Sequence, residues 1–227
     1  KSPNEASALK QVLQHIHPWS SLHYGLTAAE MIVRLYTKTI PSKFSSKLET
    51  QILAPMKVGS MGTNNLNQLI QEKANPAQEG NASLELGGRI FRVGDRVIQR
   101  RNNYDLEVFN GDIGTITLIN SLDMSLTVTY RNSSETRIIE YAKQDVLDLE
   151  LAYAITIHKS QGSEFDIVII PLVLQHFSML YRNLIYTALT RAKKMAIFVG
   201  TRKALGIAVH NIDNRQRKTM LKELLSL

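Results

Sequence analysis

Two short segments near the C-terminus place polar, charged and glycine residues at the ends of very apolar runs. They are Tyr153–Asp166, reading YAITIHKSQGSEFD, and Asn183–Lys194, reading NLIYTALTRAKK. A hydrophobic core does not require such a pattern. The edge of a parallel sheet that handles phosphate does, because ligands bind beyond the ends of its strands. The two segments therefore predict a phosphate-binding edge.

The first segment offers hydrogen-bond donors and a flexible backbone position. Thr156, His158 and Ser160 can donate to phosphate oxygens. Gly162 allows a tight turn or a close approach of the backbone to a ligand, and Glu164 can accept from a ribose hydroxyl. The alternative is an ordinary polar connection, which is the better explanation for any one of these residues but not for the whole string. A general-base role for His158 is disfavoured, because no partner nucleophile or paired carboxylate is evident.

The second segment ends in three cations. Cations near a helix C-terminus commonly stabilise the helix dipole by about a few tenths of a kcal/mol, and that explanation suffices for Lys193 and Lys194. We expect Arg191 at the same sheet edge as the 156–164 string. There a guanidinium could meet phosphate charge that develops in a transition state, as an arginine finger worth about a thousandfold or more in rate. No G-x-x-x-x-G-K-[ST] loop occurs, so half of a nucleotide site is missing.

The composition limits the class of protein. The 227 residues begin at Lys1 and look like a piece of a longer protein. The formal net charge of +7 favours an anionic partner such as nucleic acid, although solubility alone tolerates it. The lack of cysteine excludes disulfides and thiolate zinc sites. His15 and His17 lack a nearby acidic cluster and predict a loop, not a metal site. No apolar run reaches the roughly 18 residues of a membrane span, so we expect a cytoplasmic protein without a membrane partner.

Three regions differ in their periodicity. The first predicts a helix over Thr27–Thr37 capped by Thr27 with Glu30, a buried strand over 52–54, and a helix over Asn64–Lys73 stopped by Asn75-Pro76. The second, from about Leu84, has the period of strands and predicts a small antiparallel barrel. Its parts are the alternating stretch Arg96–Arg101, the runs Thr115–Ile119, Leu126–Tyr130 and Thr136–Tyr141, and turns such as Asn132-Ser133-Ser134.

The third region returns to apolar strands that must be covered on both faces. Such strands predict a parallel sheet flanked by helices. The predicted elements are strands Ala152–Ile157, Ile167–Ile170 and Met195–Val199, and helices Met179–Arg191, Lys203–Val209 and Asn214–Leu225. The order of elements favours one α/β domain, made of residues 1–85 and 149–227, interrupted by a small β domain over residues 86–148.

The motifs together resemble a known family. TIHKSQGSEFD resembles motif V of superfamily-one helicases, and YTALTRA resembles motif VI. With these, the chain resembles the RecD-like helicases, the family of the exodeoxyribonuclease V alpha subunit, from roughly Gln51 to Thr201. The further motifs are LAPMKVGSMGTNNLN at 53–67, NP at 75–76, FRVGDRVIQRRNNYD at 91–105 and VFNGDIG at 108–114.

The resemblance implies a second RecA-like motor domain with an inserted SH3-like barrel. ATP with Mg²⁺ would bind between this domain and a first RecA-like domain upstream of Lys1, which would supply the phosphate loop and the magnesium ligands. The family moves 5′ to 3′ on single-stranded DNA. It implies DNA contacts from Thr156 and His158, nucleotide contacts from Gly162 and Glu164, and a γ-phosphate contact from Arg191. Lys159 and Ser160, which follow His158, are candidate DNA contacts as well. Arg96, Arg100 and Arg101 are further DNA candidates, and Lys57 is a candidate second γ-phosphate cation, since Val58 stands where relatives place a basic residue.

Alternatives remain at this point. One is a non-enzymatic DNA-binding module, favoured by the five arginines of Arg89–Arg101 and by the missing phosphate loop. Another is the helicase part of a conjugative relaxase. The sequence leaves open whether the intact protein joins the subunits of a nuclease complex or acts alone. It predicts that residues 1–227 by themselves hydrolyse no ATP.

Overall fold

The computed structural model describes most of the chain between residues 27 and 211. The described ranges are 27–44, 48–78, 80, 82–131 and 135–211. The predictions for His15, His17, the turn at 132–134 and the helix Asn214–Leu225 lie outside them. Within these ranges no helix is long and apolar enough to cross a membrane.

The N-terminal part forms a helical layer, the first strand of a sheet and a long helix. Helix α1, Ala28–Arg34, begins with the predicted capping box, in which Thr27 Oγ1 accepts from Glu30 N at 3.2 Å and Glu30 Oε2 accepts from Thr27 N at 2.7 Å. A π-helical stretch, Leu35–Thr39, leads into α2, Ile40–Lys43. Strand β1, Thr50–Ala54, and helix α3, Thr63–Ala74, confirm the predicted strand and helix.

The middle part is antiparallel. It comprises the hairpin β2, Ser83–Leu86, and β3, Arg89–Arg92, followed by the strands β4, Arg96–Gln99; β5, Ile113–Asn120; β6, Ser125–Arg131; and β7, Thr136–Tyr141. The short helix α4, Lys143–Val146, and strand β8, Leu149–Leu151, follow. The five-stranded sheet has the order β7-β6-β5-β4-β8, and the hairpin packs on it through Leu84 and Phe91.

The C-terminal part returns to the first sheet. Strand β9, Ala154–Thr156, passes into a 3₁₀ turn, Ile157–Ser160, before β10, Phe165–Leu172. A second 3₁₀ stretch, Leu174–Met179, precedes helix α5, Arg182–Leu189, so the predicted helix from Met179 begins three residues late. Strand β11, Ala192–Gly200, and helix α6, Arg202–His210, complete the part of the chain that the structure describes.

The four strands β11-β10-β1-β9 form one parallel sheet. Strands β1, β9 and β10 are mainly buried, as their nearly continuous apolar sequences predicted, whereas the edge strand β11 exposes Lys193, Lys194 and Met195. The fold class predicted from sequence, an α/β parallel-sheet domain interrupted by a small β domain, is confirmed. The pairing of β8 with β4 extends the barrel sheet to Leu151. The division at residues 85 and 148 stays a prediction.

Strand β4 belongs to two cores at once. Val97 packs into the barrel core, whereas Ile98 packs with Leu53 and Val168 of the parallel sheet. The alternation predicted for Arg96–Arg101 is therefore wrong, since Val97, Ile98 and Gln99 are all buried. The reason is that the parallel sheet covers the face of β4 that would meet solvent in an isolated barrel.

Candidate functional site

The segment that links β9 to β10 runs from the carboxyl ends of the parallel strands to their amino ends. We call these two sides of the sheet the carboxyl edge and the amino edge. Thr156 ends β9 level with Ala54 at the carboxyl end of β1. Phe165 begins β10 and pairs with Ala192 at the amino end of β11. Along β1, Thr156 is level with Ala54 and Ile167 is level with Thr50. Phe165 lies two residues before Ile167, so it is about six residues, or roughly 20 Å, from the level of Thr156. The expectation that Arg191 shares an edge with the whole string is therefore wrong, because only the end of the string lies beside it.

At the carboxyl edge three cations surround one carboxylate. Glu150 Oε2 lies 2.8 Å from Lys159 Nζ, and its Oε1 lies 3.2 Å from Arg100 Nε and 3.4 Å from Lys57 Nζ. Burial raises the pKa of Glu150, but the hydrogen bond and charge of Lys159 and the charges of Lys57 and Arg100 outweigh it, so the pKa lies below its usual value. We call these four residues the Glu150 cluster. Its net charge is positive, which suits a phosphate backbone.

A groove of about 590 Å³ opens beside this cluster, between α3, the β2–β3 turn and β9. Thr156 and Lys159 line it together with polar side chains of α3 such as Asn64 and Gln68. Asn67 fixes the wall, since its Nδ2 donates to Leu151 O at 3.0 Å and to Ala154 O at 2.9 Å, and its Oδ1 accepts from Ala154 N at 2.8 Å. The groove thus has a wall that hydrogen bonds from the Asn67 side chain to the backbone of Leu151 and Ala154 hold in place.

The residues predicted to contact DNA through motif V fall into two groups. His158 is exposed, and Thr156 Oγ1 caps the 3₁₀ turn by accepting from Lys159 N at 3.4 Å. Ser160, in contrast, is fully buried and its hydroxyl donates to Ile157 O at 2.7 Å. That geometry gives Ser160 a role in shaping the turn and offers no open path to a phosphate.

The three arginine candidates also differ. Arg96 is held by Glu49 at 2.8 Å and Gln51 at 3.1 Å, at the amino end of β1. Arg100 joins the Glu150 cluster. Arg101 has a side chain that is 75% exposed and lies 3.8 Å from Asp148. Arg100 therefore contacts a residue that lines the groove, Glu150, whereas Arg96 is engaged at the amino end of β1.

At the amino edge Arg191 is held by neutral oxygen atoms. Its Nη1 donates to Ser163 O at 3.2 Å, its Nε to Thr187 O at 3.3 Å and its Nη2 to Thr190 Oγ1 at 3.1 Å. It forms no ion pair with a carboxylate of the described residues. Because neutral acceptors do not cancel its charge, the guanidinium is fixed in place and still able to attract an anion.

The remaining nucleotide candidates flank Arg191. Gly162 has a φ of +87° with open space where a side chain would stand, so the turn requires glycine for its conformation. Glu164 is exposed, 3.8 Å from Lys193. Lys193 and Lys194 belong to β11, and Lys194 lies 2.9 Å from Asp166. The expectation that these lysines stabilise a helix dipole is wrong, because α5 ends at Leu189.

Lys57 does not join this group. It follows β1 at the carboxyl edge, within the Glu150 cluster, whereas Arg191 precedes β11 at the amino edge. The two cations therefore lie at opposite ends of the strands, and the placement disfavours a shared γ-phosphate. The described residues include no group of three or more His, Cys, Asp or Glu that could hold a metal ion.

Sequence reasoning missed several residues that build these sites. Glu150 stands alone among apolar residues and gave no motif signal. Asp95 lies within the FRVGDRV motif, but only the structure gives it a role. It is fully buried and accepts from Gln71 Nε2 at 2.5 Å, Asn75 Nδ2 at 2.7 Å and Tyr153 Oη at 2.8 Å. It also accepts from the backbone N of Arg92 at 2.8 Å. Asp95 thus joins α3, the barrel and the start of β9.

Comparison with known families agrees with this architecture. Residues 66–130 match the ATP-dependent RecD-like DNA helicase SH3 domain. Residues 151–199 match the UvrD-like helicase C-terminal domain. The two matches define the class of protein: a RecA-like helicase motor domain interrupted by an SH3-like barrel.

Individual relatives narrow the class to a family. The ATP-dependent RecD2 DNA helicase of Deinococcus radiodurans is 37% identical over 173 residues, covering 76% of this chain and 23% of that protein. The RecBCD enzyme subunit RecD of Buchnera aphidicola subsp. Schizaphis graminum is 28% identical over 154 residues, covering 67% and 25%. The chain thus spans about a quarter of the length of these relatives. The chain belongs to the RecD-like helicases, as its motifs indicated.

Among solved structures, Bacteroides Pif1 bound to ssDNA has 20% sequence identity and a TM-score of 0.45, over 77% of this chain and 46% of that one.

Proposed function

We propose that this chain is the second motor domain, with its barrel, of an ATP-dependent DNA helicase that moves 5′ to 3′ on single-stranded DNA in recombination or repair. The observation that carries the proposal is the path of the segment from Thr156 to Phe165. Its start lies beside the cations of the Glu150 cluster, and its end lies beside Arg191. One short segment therefore links the groove beside the Glu150 cluster, which suits a polyanion, to the Arg191 guanidinium, whose charge no carboxylate of the described residues neutralises.

The groove supports a DNA role for some of the predicted residues. Thr156 and His158 offer donors at the strand end, and Lys159, Arg100 and Arg101 supply positive charge beside them. Contacts of this kind bind the sugar-phosphate backbone without reading bases. Ser160 and Arg96 are left out of the proposal, because both are engaged within the protein.

The amino edge supports a nucleotide role for Gly162, Glu164 and Arg191. Arg191 would stabilise charge that develops on the γ-phosphate of ATP in the transition state. A RecA-like domain upstream of Lys1 would supply the phosphate loop and the ligands of Mg²⁺, and ATP would bind between the two domains. The chain by itself therefore holds one face of the active site.

The test compares residues 1–227 with the full-length protein. The full-length protein should hydrolyse ATP with stimulation by single-stranded DNA, and it should unwind duplexes that carry a 5′ single-stranded tail. Residues 1–227 should fold and hydrolyse no ATP, since the phosphate loop is absent. DNA-stimulated hydrolysis by residues 1–227, or unwinding from a 3′ tail, would contradict the proposal.

A further inference from the structure

Two aromatic rings stand side by side in solvent on the loop that joins β4 to β5. Tyr104 is 74% exposed and Phe109 is 46% exposed. Their ring centroids lie 6.2 Å apart with an interplanar angle of 77°. Aromatic side chains contribute most when their large apolar surface is covered. A pair left open in this way is therefore a surface that a ligand can cover.

The loop holds the two rings in a fixed arrangement. Asn103 and Val108 exchange backbone hydrogen bonds of 2.8 and 3.0 Å, and the side chain of Val108 is buried in the barrel core. Asn103 Oδ1 accepts from Leu106 N at 3.1 Å, and Asn102 Oδ1 accepts from Asn110 N at 2.9 Å. Because the backbone is already ordered, covering the rings costs little conformational entropy.

The loop lies next to the segment proposed to contact DNA. A side-chain carbon placed on Gly111 would lie 4.0 Å from Lys159 O. Arg100 and Arg101 lead directly from β4 into the loop. Tyr104 is tied to that start, since Asn102 Nδ2 donates to Tyr104 Oη at 3.3 Å. A strand whose backbone contacts Thr156 and His158 would thus pass close to the barrel loop.

The surroundings of the rings indicate which ligand would cover them. Between Asn102 and Gly111 the loop carries exposed Asp105 and Glu107 and no Lys or Arg. Coulomb attraction therefore does not make these residues a phosphate site, in contrast to Arg100 and Arg101 before them. A nucleobase, with a flat apolar face and polar edges, fits such a surface.

We propose that Tyr104 and Phe109 form a base-stacking platform on the barrel for the single strand whose backbone runs past Thr156 and His158. The proposal rests on the proposed function. Stacking of bases on aromatic rings tolerates any sequence, because every base has a π face. Through stacking, this loop of the barrel helps to hold the strand, which its two carboxylates could not do through charge.

The experiment measures binding by the full-length protein of two probes of equal length, a thymidine oligonucleotide and an abasic oligonucleotide with the same phosphates. Tyr104→Ala and Phe109→Ala should each weaken binding of the thymidine probe by roughly 5- to 100-fold. Each should change binding of the abasic probe by less than about twofold, and the slope of affinity against salt should stay as in the wild type. Tyr104→Trp should preserve affinity. Leu122→Ala, at a barrel residue that is 94% exposed, is the matched control and should be neutral.

Unchanged affinity of both alanine variants for the thymidine probe would overturn the platform, and so would an equal loss on both probes. If Phe109→Ala lowers the melting temperature strongly, Tyr104→Ala alone decides, since that side chain is the more exposed of the two. A wild-type protein that binds neither probe would refute the proposed DNA-binding function itself. If instead the wild type binds the thymidine probe and both alanine variants bind it equally well, only the stacking platform is refuted.

Discussion

The two ends of the segment from Thr156 to Phe165 hold their positive charges in different ways. At the carboxyl edge Lys57, Arg100 and Lys159 share the single carboxylate of Glu150. At the amino edge the hydrogen bonds that Arg191 forms with the described residues go to neutral oxygens of Thr187, Thr190 and Ser163. Shared ion pairs leave a diffuse surplus of charge, whereas the neutral contacts leave one full charge at a defined point.

This difference matches the two tasks proposed for the edges. A polymer backbone that slides past requires many weak and interchangeable contacts, and a diffuse surplus of cations provides them. A transition state requires one charge held at the right place before the reaction begins. Substitutions at the two edges should therefore produce different kinds of defect.

The largest effect is expected at Arg191. In the full-length protein, Arg191→Ala should lower kcat for ATP by about a thousandfold or more, because the lost contact acts mainly in the transition state. Of the three hydrogen bonds it loses, one ties the end of α5 to the Ser163 turn and two lie within α5 and its C-terminal turn. Each is worth about 1 kcal/mol, so the melting temperature should fall by a few degrees. Steady-state ATP hydrolysis and thermal unfolding measure the two effects separately.

Two variants serve as controls for that result. Arg191→Lys should rescue poorly, since an ammonium lacks the planar fork of guanidinium. Arg202→Ala, at an exposed arginine where α6 begins, should leave turnover near normal. Near-normal turnover of Arg191→Ala would remove this residue from the site.

The next effect is on stability, at the junction between the barrel and the motor sheet. All four groups that contact the Asp95 carboxylate donate hydrogen bonds to it. In Asp95→Asn one carboxylate oxygen becomes an NH₂ group, which cannot accept, so buried donors lose their acceptor. We expect a loss of about 2–3 kcal/mol in unfolding free energy, measured by urea denaturation. Asp105→Asn, at an exposed position of the barrel loop, should be neutral. A neutral Asp95→Asn would show that the junction does not depend on this carboxylate.

A smaller effect is expected where the strand meets the carboxyl edge. Thr156→Ala combined with His158→Ala should weaken binding of single-stranded DNA by roughly tenfold, since each donor contributes about one hydrogen bond to phosphate. The same pair of residue types at exposed positions elsewhere, Thr136→Ala with His210→Ala, is the control. Fluorescence anisotropy across a salt series measures the affinity. Equal affinity of the two double variants would assign the motif V donors a role other than DNA contact.

The smallest effect should be a gain of affinity. Glu150→Gln removes the carboxylate that three cations share, so single-stranded DNA should bind a few-fold more tightly and with a steeper salt dependence. Glu140→Gln, at an exposed position on β7, is the matched control. A loss of affinity in Glu150→Gln would show that the ion pairs position the cations and do not compete with phosphate.

The same carboxylate predicts a pH dependence of stability. Because the pKa of Glu150 in the folded protein lies below its ordinary value of 4.5, the unfolded state binds protons first as the pH falls. The stabilisation is therefore fully present above the unfolded pKa and is lost as the pH falls through the folded pKa. Urea midpoints of the wild type should drop more than those of Glu150→Gln over that acidic range.

The features that sequence could predict are local ones. The capping box at Thr27 and Glu30, the strand at 52–54 and the helix that follows Gly62 each depend on residues within a few positions of one another. The same holds for strands β5 to β7, whose composition and turns define them without reference to the rest of the chain.

The placement of the site residues depends on distant parts of the chain and could not be predicted in this way. Arg191 lies at the amino edge because it directly precedes β11, and the connection from β9 to β10 returns to that edge because the two strands are parallel. Arg96 is engaged by Glu49, 47 positions away, and Lys57 by Glu150, 93 positions away. Motifs correctly identified the residue types and the family, but the partners that each cation meets were visible only in three dimensions.

The double role of β4 also has a consequence for how the chain reaches this fold. Strand β1 pairs with β9, which lies about a hundred residues later in the chain. Closing so long a loop is slow and entropically costly. The barrel consists of sequential antiparallel strands and can form earlier. Once the barrel has formed, the hydrogen bond of 2.8 Å from Ala152 N to Arg96 O holds the start of the segment that leads to β9 beside β4. Ile98 on β4 then offers an apolar surface on which the parallel sheet can pack. We expect the barrel to act as the nucleus on which the motor sheet assembles, so that Val128→Ala in its core should slow refolding more than it speeds unfolding, as stopped-flow kinetics would measure.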